Sequence, residues 1–180
     1  MLAKLETSVL VVVDMQPTFL NGIFERERVE ERTKFIVEVA RLLEVPVVAT
    51  EQYPERMGGT DEAIAALLGR EAMPKMTFSC CGIEPFNASL AGKKQVVLTG
   101  IETHICVNQT AHNLLDAGYD VIVCDDAVSA RSINRHKVGL KRLRDAGMTL
   151  AHTESIAYEW AGSAEHPKFR DMLALVKNHQ

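Results

Sequence analysis

Hydrophobic positions in this chain follow two alternating patterns. Short, nearly uninterrupted apolar runs, such as SVLVVV at 8–13 and QVVLT at 95–99, are typical of strands buried on both faces of a parallel sheet. Further strands are predicted at 46–50 and 120–124, and shorter ones at 72–76 and 148–151. Between these runs, apolar residues recur at helical spacing, so predicted strands alternate with predicted helices.

The longest predicted helix covers residues 25–43. Its apolar residues form one stripe at helical spacing, made of Val29, Phe35, Ile36, Val39 and Leu43. Other helices are predicted at 61–68, 104–117 and 132–145, with a loop at 51–59. This alternation predicts an α/β fold with a mostly parallel sheet of about six strands, flanked by helices and joined by right-handed crossovers.

The composition and charge fit one domain spanning residues 1–180. The chain is 47% hydrophobic and 24% charged, with a formal net charge of −4, and so lacks the basic character of proteins that bind nucleic acid or acidic membranes. No apolar stretch approaches the roughly 18 residues of a membrane span, and the first residues carry no apolar leader. We therefore expect a cytoplasmic protein with a small-molecule substrate and neither nucleic acid nor membrane as a partner.

Four cysteines, Cys80, Cys81, Cys106 and Cys124, lack the paired spacing of a zinc site. A chain of this length does not need disulfides to hold its core, so free thiols are expected. Cys80 and Cys81 are more often packing residues than a redox pair.

Cys106 follows a strand and a short turn, in the segment GIETHICV at 100–107. If Thr103 is the N-cap of the next helix, Cys106 occupies its first turn, where free backbone N–H groups and the helix dipole stabilise a thiolate. The expected thiol pKa is then below its ordinary value, and Cys106 is a potential nucleophile. The alternative is a packing cysteine, since cysteine is among the most buried residue types.

Three chemically capable residues lie at predicted strand ends: Asp14, Lys75 and Cys106. Ligand sites of open α/β sheets lie outside the carboxyl ends of the strands, so these residues are predicted to meet in one crevice. Asp14 would act as general base, Lys75 as an electrostatic partner and Cys106 as nucleophile. Taken singly, Asp14 also fits a carboxylate that caps a loop, and Lys75 a solvated lysine.

The segments that carry these residues, VVVDMQPTF, PKMTFS and GIETHICVNQTA, resemble in order the three signature segments of the isochorismatase-like cysteine hydrolases. The resemblance implies a Rossmann-like three-layer sandwich with an Asp-Lys-Cys triad at Asp14, Lys75 and Cys106. It also implies hydrolysis of a C–N bond, a cis peptide between Ile101 and Glu102, and an oxyanion hole formed by the amides of Glu102 and Cys106. Family members commonly assemble, so a homo-oligomer, a dimer or tetramer, is expected.

One departure from the family bears on the substrate. Nicotinamidases carry an Asp and histidines after the second strand to bind a metal, whereas this chain has no histidine before His104. We therefore expect no catalytic metal, no cofactor and a substrate other than nicotinamide. His104 itself is two residues from Cys106, and residues two apart on a helix do not face each other, so it is not expected to be the base.

The resulting hypothesis is a cysteine-dependent hydrolase that cleaves a small amide-like substrate through a thioester acyl-enzyme. Two alternatives stay open: an oligomeric binding or scaffold protein on the same fold, catalytically weak or inactive, and a thiol redox-responsive protein. The family's isochorismate-cleaving members attack a vinyl ether instead, and some dispense with the cysteine, so its presence here favours acyl chemistry.

Five side chains near the predicted strand ends are expected to line the substrate pocket, with simple loop packing as the alternative. They are Phe19, Gln52, Tyr53, Phe78 and Ile101.

Overall fold

A six-stranded sheet forms the centre of the computed structural model, which describes residues 1–179. Its strands are paired in parallel throughout, in the order β3-β2-β1-β4-β5-β6. The predicted fold class is therefore confirmed. The strands are β1 (Ser8–Val13), β2 (Val47–Gln52), β3 (Met73–Lys75), β4 (Gln95–Ile101), β5 (Asp120–Ser129) and β6 (Thr149–Ala151).

Helices cover both faces of the sheet. The described residues form α1 (Pro17–Leu20), α2 (Arg26–Leu42), α3 (Pro54–Met57), α4 (Glu62–Leu68), α5 (Glu84–Ser89), α6 (Cys106–Asp116), α7 (Ile133–Asp145), α8 (Thr153–Ala161) and α9 (Phe169–Asn178). One apolar layer contains buried residues of α2, α4, α8 and α9, and the other those of α5, α6 and α7. The arrangement is a three-layer sandwich.

The central strand β1 explains how one sequence run serves both layers. All of its residues are buried, and its side chains alternate between the two faces. Leu10 and Val12 pack into the layer that contains α2, whereas Val9, Val11 and Val13 pack into the layer that contains α6. A continuous apolar run is thus required, because neither face of this strand meets water.

Several elements differ from the sequence prediction. The segment predicted as a loop at 51–59 contains the end of β2 and the short helix α3, and β5 continues to Ser129. The extension of β5 passes a register shift between Leu98 and Gly100 on its partner strand, an irregularity that apolar periodicity does not encode. Helices α1, α3, α5, α8 and α9 were not predicted, and three of these are too short for a periodic signal.

Among residues 1–179, no helix combines the length and the apolar composition that a membrane span needs.

Candidate active site

The site lies where the strand order reverses. From β1 the chain proceeds to β2 and β3 on one side, while β4, which pairs with the other edge of β1, continues to β5 and β6. Such a switch point leaves a crevice at the carboxyl ends of the two central strands. Asp14 follows β1 directly, and Glu102 follows β4.

Gly100 lets these two strand ends come close together. A Cβ atom on Gly100 would lie 2.1 Å from the carbonyl oxygen of Val13, and its φ of +106° is in the region that favours glycine. Any other residue here would force β4 away from β1. The close packing of β4 against β1 thus requires the glycine at the start of the segment GIETHICV.

A buried ion pair occupies the crevice. The Lys75 Nζ donates to Asp14 Oδ2 at 2.7 Å, and the two side chains are 0% and 2% exposed. The Thr50 hydroxyl donates to the other carboxylate oxygen, Oδ1, at 2.9 Å. Burial raises the pKa of Asp14 above its ordinary value, while Lys75, Thr50 and Cys106 act in the opposite direction.

The ammonium of Lys75 is fully surrounded by acceptors. Besides Asp14 it donates to the Gln52 Oε1 at 2.7 Å and to the carbonyl oxygens of Thr77 and Phe78, each at 3.2 Å. An ammonium has three protons to donate, so these contacts exhaust it. Lys75 therefore acts on its surroundings as a fixed positive charge and has no proton free for a ligand.

Strand β2 supplies one hydrogen-bond partner to each member of the ion pair, Thr50 to Asp14 and Gln52 to Lys75. Thr50 and Gln52 are two residues apart and point to the same face, toward Asp14 and Lys75. Glu51, between them, instead accepts hydrogen bonds from the backbone N–H and the hydroxyl of Thr60, at 2.7 Å each. The sequence reasoning missed the role of Thr50, although Thr50 is the last residue of the predicted strand and so lies at the same edge of the sheet as Asp14.

Cys106 is the first residue of α6 and lies beside the Asp14 carboxylate. Its side chain borders a cavity, although the residue is only 8% exposed. Burial raises the pKa of the Cys106 thiol, and the Asp14 carboxylate raises it further, outweighing the lowering effect of Lys75. The expectation of a depressed thiol pKa was therefore wrong, because that expectation counted the helix start and not the burial or the neighbouring carboxylate.

The predicted N-cap was also wrong. Helix α6 begins at Cys106 with Ile105 as its N-cap, so Cys106 is at position N1 and not N3. Thr103 is fully buried, and its hydroxyl shares a 2.9 Å hydrogen bond with Nδ1 of His136 on α7. Gly139 leaves room for this packing, since a Cβ there would lie 2.9 Å from the Thr103 methyl group.

The turn between β4 and α6 carries the predicted cis peptide between Ile101 and Glu102. The Thr103 N–H donates to the Ser129 carbonyl at 2.8 Å, and the Ile105 N–H donates to the Glu102 carbonyl at 3.0 Å. Within residues 1–179, the N–H groups of Glu102 and Cys106 donate to no protein acceptor. These two amides are the pair expected to form an oxyanion hole.

A cavity of about 110 Å³ opens beside Cys106. Four of the five predicted pocket residues line it: Phe19, Gln52, Phe78 and Ile101. Ile105 and Glu102 complete the wall together with Asp14 and Cys106. The sequence analysis did not single out the side chain of Ile105, although its position directly before Cys106 was a usable signal.

Tyr53 does not line this cavity, contrary to the prediction. Strand β2 extends to Gln52, and Tyr53 follows it with a φ of +45° as the N-cap of α3. This turn directs the chain away from the cavity, and Tyr53 borders a separate surface depression with Pro54 and Met76.

Among residues 1–179, one group has the atoms to ligate a cation, namely Asp125, Asp126 and His152, whose ligand atoms lie within 4.8 Å of one another. Asp126 already accepts hydrogen bonds from the N–H and hydroxyl of Thr153, at 2.9 and 2.7 Å, and thereby gives the first N–H group of α8 a partner. His152 is 67% exposed, and the group lies outside the cavity beside Cys106.

Comparison with known proteins identifies the family of this chain. The model of the isochorismatase domain matches residues 8–155. The chain is 38% identical to the secreted isochorismatase effector Isc1 of Phytophthora sojae over 96% of this chain and 86% of that protein. It superposes on the MAR1 ribonuclease of Caenorhabditis elegans with a TM-score of 0.94 at 32% identity, covering 98% and 93% of the two chains.

A more distant structure shares the fold. The YcaC gene product of Escherichia coli, an octameric hydrolase of unknown specificity, gives a TM-score of 0.86 at 18% identity over 99% and 98% of the two chains. The family-model match spans most of the sequence, from β1 into α8, and includes Asp14, Lys75 and Cys106. The chain belongs to the isochorismatase family.

Proposed function

We propose that this protein is a cysteine hydrolase that cleaves a C–N bond of a small amide-like substrate through a thioester acyl-enzyme. The observation that carries the proposal is the Cys106 thiol beside the Asp14–Lys75 ion pair, at the edge of a cavity. Nucleophile, base and electrostatic partner are the components that acyl transfer needs.

In the proposed reaction, the Cys106 thiol proton moves to Asp14 as the sulfur attacks the amide carbonyl. The free N–H groups of Glu102 and Cys106 donate to the oxyanion. Asp14 then gives the proton to the leaving amine, and the C–N bond breaks to leave a thioester. Water attacks the thioester carbonyl with Asp14 again as base. The C–S bond then breaks as Asp14 returns this proton to sulfur, so the carboxylic acid leaves and the thiol is restored. Lys75 keeps Asp14 oriented and balances its charge throughout.

Two further observations bear on the alternatives. A scaffold protein has no need for a cavity that reaches the cysteine, and the cavity here does reach it, which favours the enzyme. A redox-responsive thiol needs thiolate character, whereas the pKa of Cys106 is raised by burial and by Asp14.

The decisive experiment uses the intact protein and its Cys106→Ala and Cys81→Ala variants. A panel of small amides, imides and ureides is assayed for release of ammonia or amine, and the acyl-enzyme is trapped by acid quench and mass spectrometry. Turnover and an adduct on the Cys106 peptide are expected in the parent and in Cys81→Ala, whose half-buried cysteine lies outside the cavity. Hydrolysis that survives in Cys106→Ala would refute the proposal.

The same panel should contain isochorismate and RNA, because relatives carry names that refer to an isochorismatase and a ribonuclease. Amide turnover with neither of these cleaved would support C–N chemistry. Cleavage of RNA or isochorismate, without amide turnover, would contradict it.

We also propose that the chain works as a homo-oligomer in the cytoplasm. Four free cysteines suit a reducing compartment. Exposed apolar side chains on α7, Val138 at 59% and Ile133 at 37%, are available for contacts between subunits. Light scattering coupled to size exclusion should give a dimer or a larger assembly, and a monomer at micromolar concentration would contradict this.

A further inference from the structure

The cavity beside Cys106 is partly open to solvent, and its volume and chemistry restrict the part of a substrate that it encloses. We infer, building on the proposed function, that the substrate is an uncharged aliphatic amide whose acyl chain has about three to five carbons. The volume of the cavity indicates the length of this acyl chain. An apolar protein cavity of about 150 Å³ holds benzene, with its six carbon atoms. By proportion, 110 Å³ holds roughly four or five non-hydrogen atoms. These are about three or four carbons when the carbonyl oxygen lies inside this volume, and about four or five when it lies outside, at the N–H groups of Glu102 and Cys106.

The walls of the cavity are largely apolar. Two aromatic rings, Phe19 and Phe78, and two branched aliphatic chains, Ile101 and Ile105, make up most of the lining. Such walls stabilise an alkyl chain by burying each of its methylene groups away from water. They offer no hydrogen-bond partner to a polar substituent, which would lose its hydration on entry.

The polar side chains around the cavity already use much of their hydrogen-bonding capacity within the protein. The Gln52 Oε1 accepts from Lys75, and the Gln52 Nε2 donates to the Met76 carbonyl at 3.0 Å. Glu102 accepts hydrogen bonds from the backbone N–H and the Nε of Arg131, at 3.0 and 3.1 Å. These contacts use the Gln52 Oε1 and one of the two Nε2 protons, and Glu102 already accepts from Arg131, so the hydrogen-bonding capacity left at the cavity is small beside its apolar walls.

The charged side chains that line the cavity are acidic. Among the lining residues there is no lysine or arginine within the described part of the chain, whereas the Asp14 and Glu102 carboxylates both border the cavity. Lys75 faces Asp14 and Gln52, with no proton left to donate. Asp14 is paired with Lys75 and Glu102 with Arg131, so among the described residues that line the cavity no unpaired cation remains to receive a substrate carboxylate, and an uncharged amide is preferred.

The first measurement compares kcat/KM for acetamide, propionamide, butyramide, valeramide, hexanamide and octanamide. The maximum is expected between propionamide and valeramide, with octanamide at least tenfold lower. Isovaleramide is then compared with malonamate, its anionic isostere, which is expected to be at least tenfold poorer. A malonamate rate equal to or above that of isovaleramide, or an octanamide rate equal to that of butyramide, would overturn the inference.

A matched pair of variants tests whether the cavity wall sets the chain length. Phe78→Ala enlarges the cavity while keeping the backbone carbonyl that Lys75 contacts, and should move the optimum to a longer chain. Met76→Ala removes another exposed apolar side chain, two residues away and outside this cavity, and should leave the optimum unchanged. Equal shifts in both variants would contradict the inference.

A second measurement keeps this inference separate from the proposed hydrolysis. An aldehyde adds reversibly to a thiol, with a new S–C bond and the thiol proton on the former carbonyl oxygen, so it reports fit without turnover. Butanal should protect Cys106 from iodoacetamide at a concentration at least tenfold lower than octanal or succinic semialdehyde.

The two measurements distinguish failure of this inference from failure of the proposed function. If protection follows this order but no amide is hydrolysed, the proposed function fails and the ligand class stands. If amides are hydrolysed without selection for chain length or charge, the ligand class fails and the proposed function stands. Absence of both protection and hydrolysis would overturn the inference as well as the function.

Discussion

Removal of the cation that pairs with Asp14 should strongly destabilise the protein. In Lys75→Met the carboxylate stays buried, at 2% exposure, but loses the ammonium that lies 2.7 Å away. The Gln52 side-chain oxygen loses its donor in the same step. Breaking one side of a buried pair typically costs about 3–5 kcal/mol, because an uncompensated charge remains. We expect the free energy of unfolding at pH 7 to fall by about this amount.

The pH dependence follows from the same carboxyl group. Without Lys75, the folded-state pKa of Asp14 rises further above its unfolded value of about 3.9, so the folded state favours the protonated acid. A raised carboxyl pKa costs stability as the pH rises above the unfolded value, and the cost disappears below it. The loss in Lys75→Met should therefore be large at pH 7 and much smaller near pH 4.

Urea unfolding followed by circular dichroism, at one fixed protein concentration, measures both effects. The double variant Asp14→Asn/Lys75→Met should recover part of the loss, since it buries no charge. Lys141→Met is the matched control, because Lys141 is 73% exposed and pairs with Asp145 one helical turn away. Its cost should stay within about 0.5 kcal/mol. A loss below about 1 kcal/mol in Lys75→Met at pH 7, or an equal loss at both pH values, would refute the reasoning.

Three further predictions concern the site. If Asp14 is the base, kcat/KM should fall as the pH drops through its raised pKa, with the acid limb lying above the ordinary carboxyl value of 3.8, and an amide pH-rate profile measures this. Gly100→Ala should lose about 3 kcal/mol or more in urea unfolding, since its Cβ would lie 2.1 Å from a carbonyl oxygen of β1. Thr103→Val should cost about 1–3 kcal/mol and lower kcat more than it raises KM, because the lost His136 hydrogen bond anchors the turn before Cys106.

Each of these predictions has its own control or contrary result. A rate that follows only an alkaline limb would contradict the role of Asp14 as base. Gly92→Ala shares a positive φ but meets open space, so it should cost less than Gly100→Ala. Thr33→Val also replaces a fully buried threonine, but one whose hydroxyl has no partner among the described residues, and it should cost little or nothing. Equal costs for the two threonine variants would argue against the His136 anchor.

Much of the fold follows from local patterns in the sequence. Uninterrupted runs such as 8–13 and 95–99 mark strands buried on both faces, and their alternation with helical stripes predicts the parallel sheet. The extension of β2 to Gln52 is different, since its polar residues find their partners in Lys75 and Thr60 only after the chain has folded. The error about Tyr53 has the same origin, because a strand two residues longer changes where the next side chain points.

In the site, too, some features follow from the local sequence and others depend on how distant elements pack together. Strand ends locate Asp14, Lys75 and Cys106, and the parallel topology brings them together. Thr103 has the residue type and position of an N-cap, but His136, on another helix, takes its hydroxyl. Sequence reasoning could not weigh this competition, since it depends on how α7 packs against the turn.

The raised pKa of the Cys106 thiol implies that Cys106 would be activated by transfer of its proton to Asp14, and not by a thiolate present at rest. A cysteine at a helix start favours a thiolate at rest, but here burial and the Asp14 carboxylate keep the proton on sulfur. Asp14 can accept that proton only while it is ionised, and Lys75 stabilises the ionised form against the cost of burial. The start of α6 then contributes in another way, because the free Cys106 N–H can stabilise the charge that develops on the substrate oxygen. Activation that waits for the substrate leaves little thiolate exposed to oxidants, which agrees better with hydrolysis than with redox sensing.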